Sequence, residues 1–458
     1  MHWDLLINQI EMYRITTYIF IAFIAFSCKS NDDLNQESVV SEEALLDQLQ
    51  LETFNYFWDG GEPISGAARE RIHLDGVYPH NDQDVVTSGG TGFGIMAALA
   101  GIERGFISRK EGYDRLKKLT DWLEKADRFH GAWPHWMFPD GKTKPFSRYD
   151  DGGDLVETAF LVQGLIAARQ YFQDGNEEEQ ALAAKMDELW KGVEWNWYTR
   201  GGEDVLYWHW SPNHEWKMNF AIGGHNECLI LYVIAASSPT HGVEADVYHN
   251  GYMRGGDIVT DRKFYGIPTV LDHYETNNLA IGPLFWAHYS HLGLDPRGLS
   301  DTYADWWDVN RNHALIHHKH CTENPYEYEG YSDECWGLTS SYSMTGYAGH
   351  NPQQDLGVIS PTAALSSYPY TPDESQKFLR YLYEKNDSLI GKYGPYDAFS
   401  IQSRWHLKRY LAIDQLPIPV MVENYRTGLI WDLFMSAPEI QDGLKKLGFE
   451  INEKSDPS

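Results

Sequence analysis

Two kinds of helical stretch alternate along this chain, and the alternation limits the fold more than any other feature. One kind is amphipathic and charged: Ser41–Trp58, Ser108–Ala126, Asn176–Trp197, Ser300–Cys321 and Pro372–Asn386. Within Ser108–Ala126, Ser108 and Glu111 have the spacing of a capping box, and Leu116, Leu119, Trp122 and Leu123 recur at helical intervals. The other kind is apolar on every side and rich in small residues: Gly90–Gly105, Asp154–Phe172, Gly224–Ser237, Asn277–Leu292, Ser360–Ser367 and Pro419–Met435. A helix apolar all round must be buried all round. Buried and amphipathic helices in alternation predict two concentric rings, an all-α (α/α)6 toroid. The fourth outer helix, within Gly242–Gly251, carries the faintest pattern. Long aromatic loops at Trp195–Phe220 and Tyr326–Gly349, and a minor β-hairpin near Tyr252–Val270, complete the expected layout. Loops of that length usually carry function.

The N-terminus stands apart from this pattern. Arg14 precedes an apolar run from Tyr18 to Phe26, then Ser27 and Cys28, which resembles a bacterial lipoprotein signal. The run is too short to cross a bilayer comfortably. The expected division is therefore a signal peptide at 1–27, a lipidated Cys28 opening a flexible tether at 28–40, one domain at 41–450 and a tail at 451–458. An exported bacterial lipoprotein, periplasm-facing or on the cell-surface outer membrane, would touch the membrane only through that lipid. Of the remaining cysteines, Cys228 lies in an apolar helix and reads as core, while Cys321 and Cys335 have the option of pairing.

With 66 Asp and Glu against 37 Lys and Arg, the net charge of −29 argues against nucleic-acid and anionic-membrane partners. Aromatic residues make up 14% of the chain, including 17 Trp. Acids and flat rings together suit neutral polyols, since rings stack on sugar faces and carboxylates accept hydroxyl protons.

The segments leading into the inner helices carry the candidate chemistry. They bring Asp84, the cluster Asp150, Asp151, Asp154 and Glu157, then Glu227, Asp272, Glu275, Asp414 and Glu423. A helix N-terminus favours any one of these acids. Several around one crater shift each other's pKa values, so that one carboxyl stays protonated while another stays ionised. Glycoside hydrolysis needs that division. Trp133, His135 and Trp136 in "GAWPHWM", and Trp208, Trp210 and Trp216 in "YWHWSPNHEWKMN", have the character of sugar platforms, although core packing explains any single Trp equally well. Asp154 and Glu157 also have capping-box spacing, which leaves Asp150 and Asp151 to lean over the mouth on a Gly152–Gly153 hinge.

Four blocks, "WSPNHEWKMNFAIGGHNECLILYVIAASSPTH", "GPLFWAHYSHLGLDPRGL", "CWGLTSS" and "IDQLPIPVMVENYRTGLIW", resemble the bacterial glucoamylase-like family. That grouping includes glycoside hydrolase family 144, the β-1,2-glucanases, and the likeness runs from about Leu45 to Phe449. The resemblance implies an (α/α)6 barrel and a secreted, inverting enzyme that cuts β-1,2-glucan to sophorose or short sophoro-oligosaccharides, without a cofactor or metal. It places Asp150, Asp154 and Glu157 on the family's acidic motif, Glu227 on the acid of its "NE" block beside Asn226, and Asp414 on the Asp of its "IDQGP" motif. Leu416 stands here where that motif has glycine. On this reading Glu227 works on the acid side and Asp414 on the base side. Asp150, Asp151, Asp154, Glu157, Asn226, Trp133, His135, Trp136, Trp208, Trp210, Trp216, Trp336 and Glu423 would contact substrate. The expected partner is a glucan, and the expected state a monomer.

Other readings remain open at this level. "DDGGD" matches the magnesium motif of terpenoid synthases, but no basic diphosphate clamp accompanies it. "HHKHC", His317–Cys321, fits metal binding or helix-terminus charge. "SGGTGFG" lacks the Lys-Ser/Thr ending of a phosphate loop and suits close helix packing. Glu423 has Arg426 within ion-pair reach on a helix. A non-catalytic glycan-capturing lipoprotein, a hydrolase of another glucan, or a lyase or epimerase on the same toroid are the competing functions.

Overall fold

The helix Ser88–Glu103 opens with Ser-Gly-Gly-Thr-Gly-Phe-Gly, and the closeness of its neighbour explains why. A Cβ on Gly92 would lie 2.1 Å from the Phe160 carbonyl oxygen, and one on Gly164 would lie 2.3 Å from that of Gly92. The helices Ser88–Glu103 and Leu155–Phe172 therefore meet backbone to backbone, as the packing role for these glycines requires. In this computed structural model, residues 40–273 and 281–452 are described. Cys28, the expected signal peptide, all but the last residue of the tether, Glu275 and residues 453–458 lie outside them. The described residues from Leu45 onward form one compact unit.

The chain is an (α/α)6 toroid. Its inner ring contains the almost wholly buried helices Ser88–Glu103, Leu155–Phe172, Leu229–Ser237, Pro361–Leu365 and Pro417–Arg426. The outer ring contains Glu42–Trp58, Arg109–Leu123, Glu177–Lys191, Trp306–Glu323 and Pro372–Arg380, the last continued by a wider turn at Tyr381–Lys385. Ser108 and Glu111 form the predicted capping box, and Asn176 with Glu179 forms another. The minor hairpin lies at Lys263–Phe264 and Ile267–Pro268. No helix of the described residues is long and apolar enough to cross a membrane.

Three expected elements differ. The faint fourth outer helix is a single wide turn, Val247–Tyr252. In place of the inner helix Asn277–Leu292 stand two short 3-10 turns, Leu284–Ala287 and Tyr289–His291. Gly282–Pro283 interrupts it, because the residue before proline avoids helical geometry, and Gly282 has the Trp286 ring where a side chain would sit. The stretch Pro419–Met435 is split by Gly428, which adopts φ 76° and starts a new helix, Leu429–Met435.

Histidines fill the space under the unwound inner position. The rings of His225 and His273 are 4.7 Å apart, His273 and His313 4.4 Å, and His313 and His317 4.9 Å. His313 and His317 both direct Nε2 at the Gly282 carbonyl, at 2.9 and 3.0 Å. His320 bonds Asp355 and the Tyr265 hydroxyl, each at 2.8 Å. Of the "HHKHC" histidines, His317 thus anchors the irregular segment from within the core, while His318 meets the Asp333 carbonyl and His320 meets Asp355 and Tyr265. Cys228, Cys321 and Cys335 are buried free thiols.

Burial holds His225, His273, His288, His291, His313 and His317 below the ordinary histidine pKa, His291 and His313 down to about 4. They are neutral when folded and take up protons below about pH 6.5 when unfolded, so the stability they contribute is present above that pH and drains as pH falls toward the folded values. Thermal unfolding followed by circular dichroism should show Tm declining steadily below about pH 6.5. A Tm that stays level down to pH ~4.5 would contradict this.

Candidate active site

Short antiparallel strand pairs tie together the segments that run into the inner helices. Thr87 pairs with Trp136 just ahead of Ser88–Glu103, and Asp154 pairs with His209 just ahead of Leu155–Phe172. Arg71 pairs with Leu411 ahead of the helical turn Ala412–Gln415, and Tyr342 faces Tyr347 in a hairpin. These pairs wall a cavity of ≈ 380 Å³, whose charged lining is Glu70, Arg71, His135, Glu157 and Glu227. Trp136, Trp208, Phe285, Tyr289, Tyr342 and Tyr347 supply its rings. A second hollow of ≈ 230 Å³ shares Trp208 and Glu227 and adds Asn226 and Trp286. Glu227 therefore stands where the two spaces meet.

Glu227 lies in the turn ahead of Leu229–Ser237, and no other described residue donates a hydrogen bond to its carboxylate. Loss of water around it, with a smaller push from the charge of Glu157, raises its pKa to about 7. Glu157 sits in the first turn of Leu155–Phe172, where its Oε2 accepts from the Gly89 N–H at 2.7 Å and the Thr87 hydroxyl at 3.1 Å. A side chain on Gly89 would displace that carboxylate, since its Cβ would lie 2.6 Å from Oε2. Burial raises the Glu157 pKa against the pull of His135.

The cluster at residues 150–157 does several jobs, most of them turned away from the cavity. Asp154 caps its helix, accepting from the N–H groups of Val156 and Glu157 at 3.0 and 2.9 Å. Glu157 does not complete the box, because it reaches across to Gly89. The other oxygen of Asp154 is 2.8 Å from His135 Nδ1. Asp150 lies 3.2 Å from His209 Nε2, and Asp151 takes the Ser211 hydroxyl and, at 2.8 Å, the Asn213 amide. Asp150 and Asp151 thus bind the loop 195–220 and do not lean over the mouth. The Gly152–Gly153 pair gives that loop room: Cβ atoms there would lie 2.2 Å from the Trp210 carbonyl oxygen and 2.1 Å from the Tyr198 hydroxyl. Burial opposes charge on His135, but Glu157, Asp154 and Asp150 outweigh it and hold the pKa at about 10. Donor atoms of His135, Asp150 and Asp154 all fall within 4.8 Å of one another, the one grouping among the described residues with metal-like spacing. These groups engage one another directly, His135 with Asp154 and His209 with Asp150.

Asp414 is set back from the cavity, 2% exposed, with the Tyr289 hydroxyl donating to its Oδ1 at 3.3 Å. Its neighbour is Asp397, whose Oδ2 accepts from the Tyr342 N–H at 2.8 Å. Asp414 Oδ2 and Asp397 Oδ1 have no other partner, and the two carboxyls bond each other. Two carboxylates cannot do so without a proton between them. Burial first, and the facing carboxyl second, push Asp414 well above the usual carboxylate range, and burial raises Asp397 as well.

His135, Trp136, Glu157 and Trp208, read from the sequence as substrate contacts, and Glu227, read as catalytic, line the main cavity, and Asn226 lines the adjoining hollow. Trp133 and Trp336 do not: both are fully buried and donate to the Leu123 and Glu374 carbonyls. Trp210 and Trp216 belong to a separate aromatic cluster around Trp197. Glu423 is at the far end of its helix, held by Arg104 at 2.6 and 2.8 Å, while Arg426 reaches Asp47 instead. Six residues of the site escaped sequence reasoning: Glu70, Arg71, Tyr289, Tyr342, Tyr347 and Asp397. They sit on strands of two to four residues or in irregular turns, too short to leave a period in the sequence.

A helical toroid whose inner mouth is lined by carboxylates and aromatic rings is the architecture of carbohydrate-processing proteins. Residues 219–438 match the family described as putative glucoamylase. The chain is 57% identical to an endo-β-1,2-glucanase from Chitinophaga pinensis solved with sophorotriose and glucose, with a TM-score of 0.88 over 90% of this chain and 99% of that one. It is 43% identical over 431 residues to an exo β-1,2-glucooligosaccharide sophorohydrolase of Parabacteroides distasonis, covering 89% of this chain but only 58% of that longer relative. An endo-β-1,2-glucanase from Talaromyces funiculosus shares the fold at 12% identity and a TM-score of 0.60. The chain belongs to the bacterial glucoamylase-like family that includes β-1,2-glucanases.

Asp397→Ala strips the Tyr342 N–H of its acceptor and should cost about 1–3 kcal/mol in urea unfolding. Asp397→Asn keeps that acceptor and can donate its amide to Asp414, so it should retain most of the stability. Equal losses in the two variants would rule out the shared-proton pair.

Proposed function

We propose that this protein is a glycoside hydrolase that cuts β-1,2-glucan to sophorose or short sophoro-oligosaccharides with inversion, acting as a monomer. The observation that carries the reading is the position of Glu227, whose pKa is raised and whose carboxyl stands at the junction of two hollows able to hold sugar on either side. Protonated below about pH 7, Glu227 donates to the glycosidic oxygen as its bond to the anomeric carbon breaks. A water attacks that carbon from the opposite face. Tyr289 takes the water's proton while passing its own to Asp414 Oδ1, and burial keeps the phenol protonated, so it serves as a relay and not as a base. The Asp397–Asp414 pair, holding one proton and one negative charge, has room for the second. Charged His135 keeps Glu157 oriented, and Trp136 and Trp208 provide stacking faces.

A second assignment has one observation in its favour. Glu157 lines the cavity directly, with Oε1 3.9 Å from His135 Nε2 and engaged by no closer donor, so it is the alternative base. The chain spans under two thirds of the curated sophorohydrolase's length, and relatives named as endo- and exo-acting both resemble it.

Reducing-end release from a panel of glucans tests the reaction and the linkage together. Glu227→Gln should lower kcat by about 10²–10⁴ with the fold intact. Since the acid must be protonated, kcat/KM should fall as pH rises through about 7. Asp414→Asn should lower kcat about as far as Glu227→Gln, while a larger loss in Glu157→Gln would transfer the base role to Glu157. Near-wild-type turnover in Glu227→Gln would refute the site.

The export signal and the lipid on Cys28 are part of the same proposal, supported by Arg14 and the apolar run Tyr18–Phe26. Cys28→Ser should move the protein from the membrane fraction to the soluble fraction of cells expressing it. Unchanged fractionation would remove the anchor from the reading.

A further inference from the structure

Away from the main cavity, the loop that follows the outer helix Glu177–Lys191 builds an aromatic platform that the chemistry above does not use. Trp197 is 40% exposed in spite of its size. His130 stacks on one side of it at 3.7 Å between ring centroids and is itself fixed by Glu194 at 3.1 Å. Trp210 meets both rings edge-on, so the indole is held rigidly from behind. Trp197 and Trp216, 6.4 Å apart and inclined by 30°, line an open hollow of ≈ 650 Å³. Asn196, Arg200 and His241 form its rim. The side chains of Asn196 and His241 make no hydrogen bond to the described protein, although the backbone groups of the same two residues bond each other at 3.1 Å.

We propose that this hollow is a second glucan-binding site, separate from the catalytic cavity and serving the same polymer. A rigid, half-exposed indole beside an unused amide and imidazole fits a neutral sugar ring, which stacks by its C–H face and hydrogen-bonds through its edge hydroxyls. Glu194 and Arg200 balance in charge, so the rim does not select an ion. The position suits a polymer as well. Consecutive helices of the toroid run antiparallel, so the end of Glu177–Lys191 lies on the same face as the start of Leu155–Phe172, where the cavity opens. The two places are joined through one strand pair: Trp210 supports the platform, and its neighbour His209 pairs with Asp154, the partner of His135 at the cavity wall. A long chain engaging both places gains effective concentration at the cavity, and a short oligosaccharide does not. The inference rests on the glucanase reading for the identity of its ligand.

The test separates the two ideas. In the Glu227→Gln background, native gels cast with β-1,2-glucan polymer measure polymer affinity, and calorimetry with a short sophoro-oligosaccharide measures cavity affinity. Trp197→Ala should weaken polymer binding about fivefold or more and leave the oligosaccharide Kd within about twofold. Asn196→Ala, which removes no packed ring, should weaken polymer binding about two- to threefold in the same pattern. Unchanged polymer affinity in both variants overturns the proposal. So does an equal loss for polymer and oligosaccharide, because Trp197 would then only support the cavity. Failure of the glucanase reading shows elsewhere, as no reducing ends released by the wild-type protein. In that event, retardation by another neutral glucan that Trp197→Ala abolishes still supports the site, and no such retardation overturns it.

Discussion

Backbone contact between two inner helices sets the dimensions of everything above it. Because Gly92 and Gly164 have no side chains, Ser88–Glu103 and Leu155–Phe172 approach until the carbonyls of Phe160 and Gly92 occupy the space of the missing Cβ atoms. Their first turns come within hydrogen-bond reach of each other, and Glu157 on one helix binds Gly89 and Thr87 of the other. A side chain at Gly92 would open the pair and widen the mouth. The carboxylate that seals this contact also forms part of the cavity wall, so packing and chemistry share one residue.

Crowded acids are made tolerable here in three physically different ways. Asp150 meets His209 and Asp154 meets His135, and the charge retained on His135 also faces Glu157. Asp397 and Asp414 accommodate each other by holding a proton between them. Glu227 has no ion-pair partner among the described residues, and burial, with a smaller push from the charge of Glu157, raises its pKa toward neutrality. That difference in surroundings is what the proposed proton-donor role of Glu227 rests on. The far ends of the inner helices show the opposite case, with Glu423 locked by Arg104 and unable to titrate near neutral pH.

Much of the toroid was legible because long helices impose a period on the sequence. The capping box at Ser108–Glu111 and the all-round apolar run of Leu155–Phe172 lie where they were expected. The inner segment before Leu292 was misread because its composition is as apolar as a helix, while Gly282–Pro283 and the histidines beneath it favour short turns. Site residues followed the same rule. Glu227, His135, Trp136 and Trp208 lay in recognisable blocks, but Glu70, Arg71 and Asp397 come from short strands and turns that meet only in space. Tryptophan content predicted stacking surfaces and could not distribute them: Trp133 fills core, Trp208 lines the cavity, and Trp197 faces solvent.

The amino-acid sequence alone determined two rings of helices, an acidic and aromatic mouth, and family membership, because periodicity, composition and long ordered blocks are properties of the linear chain. Tertiary structure alone decided which acids face the cavity and which face a histidine, a backbone amide or each other. Burial and distance set a carboxyl's pKa, and both depend on residues hundreds of positions away. The cluster at Asp150–Glu157 shows the division: its spacing announced a helix start, and only the folded neighbours made Asp154 a cap, Asp150 a partner of His209 and Glu157 part of the wall.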